Sequence, residues 1–197
     1  MSKAHREYFN KLAEEWHTQM PDDPLFRDYL IRFGVSSGDR VLDIGAGTGR
    51  MTKYLAEIVG KEGLVVAEDI AEQMLFEGKK LLGRTPQEWV CDDVSALAFK
   101  DGSFDKVLCF SAFPHFTSPL SALMEMKRVL RKEGKLLILH TDSSTRLNEF
   151  HASLEGIVSM DRLPPIEEIR PLLNQTGFVE EEFVDKENLY WVQARRL

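Results

Sequence analysis

The sequence predicts an α/β fold, a mostly parallel sheet with helices on both faces, and three features predict it. Strand-like runs at 40–44, 64–67, 88–91, 106–110 and 135–140 alternate with helix-like runs at 49–59, 71–82 and 119–131. Alternation of this kind implies parallel strands joined by helical crossovers. The first run passes straight into a glycine-rich bend, Val41-Leu-Asp-Ile-Gly-Ala-Gly-Thr-Gly-Arg50, and an acid, Asp69, follows Gly49 by 20 positions at the end of the second run. Ligands of such sheets bind outside the carboxyl ends of the strands, where strand order reverses. Both features fall at that edge.

Each element has a local reason. Tyr8, Phe9, Leu12, Ala13 and Trp16 recur at helical spacing, so residues 3–17 are expected to be a helix. A second helix is expected from Pro24, capped by Asp23, to Gly34. In the bend, Gly45, Gly47 and Gly49 carry no side chain, and a ligand is expected to reach bare backbone N–H groups there. Asp69 can accept both hydroxyls of a ribose, while Glu68 faces the other side of its strand. Residues 166–176 read as a helix closed by Gly177, with Pro171 predicting a kink or a late start. Phe178–Val184 and Leu189–Ala194 read as a hairpin and bring the strands to seven.

Composition narrows the classes. A chain of 197 residues with 43% hydrophobic and 29% charged residues suits one globular domain, residues 1–197. It has no apolar run of membrane-spanning length, and its first residues lack the apolar core of a signal peptide. The net charge of −7 argues against a nucleic-acid footprint. Cys91 and Cys109 lie in strand-like runs without metal-site spacing and are expected to be buried thiols in a reducing cytoplasm.

The spacing G-x-G-x-G behind Asp43 differs from the G-x-G-x-x-G of dinucleotide folds. It resembles motif I of the class I S-adenosylmethionine-dependent methyltransferases. Val65-Val-Ala-Glu-Asp-Ile-Ala-Glu-Gln-Met-Leu75 resembles the segment that follows that motif, and Asp101-Gly-Ser-Phe-Asp105 its turn into the fourth strand. The resemblance covers about residues 36–197 and implies a Rossmann-like fold and S-adenosyl-L-methionine as cofactor. It implies cofactor contacts from Asp43, Gly45, Ala46, Gly47, Gly49, Asp69 and Phe110. Asp43 suits a ligand bearing an ammonium and a sulfonium. The resemblance further implies that Asp93, with Asp92 as the alternative, accepts from the adenine amino group beside the Val94 N–H. Ile70 and Met74 would pack on the adenine faces.

After the fourth strand, Phe110-Ser-Ala-Phe-Pro-His-Phe116 lacks the Asn-Pro-Pro-aromatic motif of amino-group methyltransferases. That fits the branch acting on small metabolites, the type 11 or ubiquinone/menaquinone-biosynthesis-like branch. The expected reaction is in-line displacement, with His115 as candidate base at the ligand edge. Trp16, His115, His140 and His151 are the expected acceptor pocket. Those three histidines have no compact ligand spacing, so no metal site is predicted. Residues 1–35 are expected to form a helical lid. Residues 141–165, with Asn148, Arg146 and Leu163-Pro-Pro165, are the expected acceptor-side insert. The expected partner is a small molecule, and the chain a monomer or homodimer. A catalytically silent cofactor-binding protein and an NAD-type oxidoreductase are the alternatives.

Overall fold

Parallel strands β1 (Arg40–Ile44), β2 (Leu64–Asp69), β3 (Gln87–Cys91), β4 (Phe104–Phe110) and β5 (Leu130–His140) form most of one sheet. The hairpin β6 (Phe178–Lys186) and β7 (Leu189–Arg196) completes it, with β7 antiparallel to β5, in the order β3-β2-β1-β4-β5-β7-β6. The computed structural model describes residues 1–19, 23–82 and 87–197. Helices α1 (Lys3–Gln19), α2 (Phe26–Phe33), α3 (Thr52–Val59), α4 (Glu72–Leu82), α5 (Pro119–Val129), α6 (Ser144–Ser153) and α7 (Ile166–Thr176) surround the sheet.

Alternation along the strands builds two cores. Leu42, Ile44, Val107, Cys109, Leu136 and Ile138 face α5 and α7, meeting Leu123, Met126, Ile169 and Leu173. Val41, Val65, Leu108, Leu137 and Leu139 face the other way, onto Phe26, Leu30 and Phe33 of α2 and Leu55 and Val59 of α3. Asp43 shares the face of Val41 and therefore points toward α3.

Several boundaries differ from the sequence expectation. Asp23 is not the N-cap: regular helix begins only at Phe26 behind Leu25, and Asp23 Oδ1 accepts from the Leu25 N–H at 2.8 Å in the turn before it. Helix α3 starts at Thr52, because the glycine bend carries on through Met51. Strand β5 begins at Leu130 rather than 135; Leu130 is buried like the helical positions before it, so the helical periodicity of the sequence runs on past the end of α5. Helix α7 runs from Ile166 straight through Pro171. The one N–H that proline lacks is offset by burial of Ile169 and Leu173. The hairpin turn is tighter than expected, Glu187-Asn188, with Asn188 at φ 64°. Cys109 is buried, but Cys91 is exposed, since β3 is the edge strand and Cys91 ends it.

Candidate active site

Strand order reverses at β1, which lies between β2 and β4. A cavity opens there. Its floor is Gly45, Ala46 and Gly47 after β1, with Asp69 at the tip of β2 and Met74 on α4. Phe110, Ser111, Ala112 and His115 after β4 form the opposite wall, and Met1, Phe9 and Trp16 of the N-terminal segment cover it. Ser111 is held at φ 54°, a conformation unusual for a residue with a side chain. Its N–H donates to the Leu139 carbonyl at 3.0 Å.

The bend does not present bare amides, contrary to expectation. The Ala46 N–H donates to the Glu68 carbonyl at 2.9 Å, the Gly47 N–H to Asp69 Oδ2 at 2.9 Å, and the Gly49 N–H to the Ala46 carbonyl. The Gly45 amide faces the buried Glu68 carboxyl. These bonds hold the bend in shape, so the glycines contribute close approach rather than donors. Gly49 lies away from this cavity. A Cβ there would stand 2.7 Å from Trp89 and 2.8 Å from Leu82, so Gly49 serves the packing of α4 and β3 against the bend.

Three carboxyl groups gather beneath the bend. Asp69 accepts from Gly47 and from the Ala71 N–H (2.8 Å), and burial still raises its pKa from 3.8 to about 6 against those bonds. Asp43 is 1% exposed and accepts from Thr52 Oγ1 at 2.7 Å. Burial lifts it to about 7; the Thr52 bond opposes this and the Asp69 charge adds to it. Asp43 does not line the cavity; its carboxyl ties β1 to the start of α3. Burial and the charge of Asp69 push Glu68 well above the ordinary range. Three acids that resist ionisation are an electrostatic invitation to a cation.

Of the adenine-side candidates, only Met74 lines the cavity, 2% exposed against Ala13 and Ala71. The Asp93 carboxylate accepts from the Ser95 N–H (3.0 Å) and Oγ (2.8 Å) and from the Met1 ammonium (3.0 Å). Val94 is buried in the core, and Ile70 stands outside the lining. Asp92 caps the same turn through the Asp93 and Ala98 N–H groups.

At the acceptor end, His115 is joined by two residues the sequence did not single out. Asp161 follows a short helical turn, Ile157–Met160, and accepts from His115 Nδ1 at 2.6 Å and from His5 Nε2, on α1, at 2.9 Å. Burial raises the Asp161 carboxyl, and the bonds from His115 and His5 outweigh it, so its pKa lies below the ordinary value. The His151 ring lies 5.4 Å from that of His115, and its Nδ1 donates to the Asp161 carbonyl. Burial lowers the pKa of His151. His140, 2% exposed and edge-on to Tyr190, is pushed to about 3 by burial and by the charges of His115 and His151. Neither His140 nor His151 lines the cavity. Asn148 instead staples the insert, exchanging hydrogen bonds with the Leu163 carbonyl and N–H. Arg146 pairs on the surface with Asp142 and Glu187. Position 5 has no local motif that could have flagged it. Asp161, 46 residues from its partner His115, had none either.

The sequence pattern of a methyltransferase-domain family matches residues 42–138. A ubiquinone/menaquinone biosynthesis C-methyltransferase of Hahella chejuensis is 38% identical over 135 residues, 66% of this chain and 53% of that protein. The crystal structure of an S-adenosylmethionine-dependent methyltransferase from Aquifex aeolicus superposes with a TM-score of 0.75 at 23% identity, covering 98% of each chain. A Haloferax volcanii complex of the Trm112 methyltransferase activator with a methyltransferase gives a TM-score of 0.79 at 19% identity, covering 95% of this chain and 96% of that one. The chain belongs to the class I S-adenosylmethionine-dependent methyltransferases. Within that class its curated relatives are ubiquinone/menaquinone biosynthesis C-methyltransferases, and it spans about half their length. The donor set fits the cofactor. Asp69 at the cavity edge can take ribose hydroxyls, and Phe110 and Trp16 offer aromatic faces to a sulfonium.

Proposed function

We propose that this chain transfers a methyl group from S-adenosyl-L-methionine to a small-molecule acceptor by in-line displacement, as one domain over residues 1–197. The carrying observation is the cavity at the strand-order switch, with Asp69 and the glycine bend at one end and His115 at the other. The cofactor supplies an electrophilic methyl on a sulfonium whose departure needs no further activation. The protein therefore contributes position and, for some acceptors, a destination for a proton.

Gly45 to Gly47 and Met74 shape the cofactor end, and Asp69 takes the ribose hydroxyls. Phe110 and Trp16 present apolar area, and an aromatic face attracts a sulfonium. Residues 1–35, apart from 20–22, which lie outside the described residues, act as a lid through Phe9 and Trp16. Residues 141–165 reach the acceptor end through Asp161. The proton of an acceptor, where one leaves, leaves at the His115–Asp161 pair. The acceptor is a nucleophilic metabolite; the relatives, by name, methylate carbon in quinone biosynthesis. A net charge of −7 disfavours a nucleic-acid acceptor. Among the described residues no helix is long and apolar enough to cross a membrane, in keeping with a cytoplasmic enzyme.

Calorimetric titration tests the cofactor. S-adenosylhomocysteine is expected to bind and NADH to leave no heat; the reverse would reject a methyltransferase. His115→Gln separates chemistry from binding. Its turnover is expected to fall about 10²- to 10⁴-fold while its S-adenosylhomocysteine affinity stays within about threefold of the parent. Unchanged turnover would remove His115 from the mechanism.

A further inference from the structure

We propose that His5, His115 and Asp161 form a binding site for a divalent first-row transition metal at the acceptor end of the cavity. One donor atom from each, two imidazole nitrogens and a carboxylate oxygen, lies within 4.8 Å of the other two. Asp161 oxygens stand 2.6 Å from His115 Nδ1 and 2.9 Å from His5 Nε2. An ion about 2.1 Å from each donor needs donors roughly 3 Å apart, so small shifts suffice. The three side chains are 5%, 11% and 9% exposed for His5, His115 and Asp161.

The surroundings are arranged as ligand supports are. Since the Asp161 carboxylate only accepts, His5 presents Nε2 to it, and Ser2 Oγ fixes the ring from Nδ1 at 2.7 Å. His151 holds the Asp161 backbone through its carbonyl. Four of the chain's five histidines gather here. His151 is ring to ring with His115. His140 follows Leu139, whose carbonyl accepts from Ser111 four residues before His115. Its Nε2 is buried with no hydrogen-bond partner among the described residues. A hydrogen-bonded staple explains a carboxylate between two imidazoles. It does not explain a third ring, tilted at 40° beside that of His115, or a fourth with an orphaned nitrogen.

Two imidazoles and one carboxylate suit Zn²⁺, Fe²⁺, Co²⁺ or Ni²⁺, and three protein ligands leave positions open. Of the three ligands His115 lines the cavity, which would set the ion at the cavity's edge. The class of acceptor implied is one that offers an oxygen or nitrogen donor to the ion. This deepens the proposed function, since the ion would take over the acceptor's proton chemistry at the His115–Asp161 pair, with His115 as ligand rather than free base.

Untagged protein, stripped with chelator and shown folded by S-adenosylhomocysteine binding, is titrated with Co²⁺ and followed by visible absorption. About one equivalent is expected to bind with ligand-field bands, and Zn²⁺ to displace it. His5→Gln and Asp161→Asn are expected to weaken Co²⁺ binding at least about tenfold while retaining S-adenosylhomocysteine binding. A parent that binds S-adenosylhomocysteine but no Co²⁺ overturns the metal site and leaves the methyltransferase standing. Co²⁺ binding unchanged in both variants places the ion elsewhere and equally overturns it.

Discussion

The Gly45→Ala variant is expected to lose cofactor binding and roughly 5–15 °C of thermal stability. Gly45 sits at φ 65°, where a side chain is disfavoured by about 1–2 kcal/mol. A Cβ there would also stand 2.4 Å from the Ala112 Cβ, closer than two carbons can approach. Relief requires the bend to move away from the segment after β4, and overpacking of this sort adds about 1–3 kcal/mol. In a domain of this size each kcal/mol moves the midpoint by about 2–4 °C. The displaced atoms are two walls of one cavity, so binding suffers beyond stability. Ala112→Gly in the same chain removes the clash but not the backbone strain, so partial recovery of both readouts is expected. Thermal unfolding and calorimetry with S-adenosylhomocysteine measure the two. Full-affinity binding by Gly45→Ala would mean that this close approach does not shape the cavity.

The parts of the fold visible in the sequence are those set by local chemistry. Branched apolar runs mark β1, β2 and β4, and the glycine bend behind Asp43 locates the switch in strand order. Gly34 and Gly177 end their helices at positive φ, 82° and 76°. What the sequence could not fix is where neighbouring elements supply partners. The bend looked like a row of open donors, yet β2 lies near enough for the Glu68 carbonyl and Asp69 to occupy them. Asp93 looked like a ligand for adenine, yet its carboxylate closes a turn with Ser95. Gly49 looked like part of the ligand loop, yet α4 and Trp89 need the space. The acceptor end was least legible, since His5, His115 and Asp161 meet only through tertiary packing. Short-range spacing has nothing to say about residues brought together from a lid, a loop and an insert.

Asp69→Asn is expected to weaken cofactor binding about 10²-fold and to flatten its pH dependence. Both Asp69 oxygens accept backbone N–H groups, from Gly47 and Ala71. An amide keeps one acceptor and turns an NH₂ toward a donor, leaving an unsatisfied group that costs about 1–3 kcal/mol. It is also a poorer acceptor for ribose hydroxyls. In the parent, burial lifts Asp69 from 3.8 to about 6. A ligand with hydroxyl donors and positive charge favours the ionised form, so below that value binding must first release a proton. Affinity is therefore expected to fall as pH drops below about 6, toward tenfold per unit, and to level off above it. Stability without ligand runs the other way. A carboxyl whose folded pKa is raised contributes most below its unfolded value, and the contribution is lost as pH rises through the folded one. For Asp69 that loss falls between 3.8 and about 6, and for Asp43 between 3.8 and about 7. Through these two carboxyls the free protein is thus expected to lose stability as pH rises from about 4 to 7, partly offset by His140, whose lowered pKa works in the opposite sense, while binding strengthens up to about 6. Calorimetry and thermal unfolding at matched pH values measure the two slopes. Equal slopes of one sign in the parent, or an Asn variant that keeps the parent's profile, would remove Asp69 from the cofactor's charge balance.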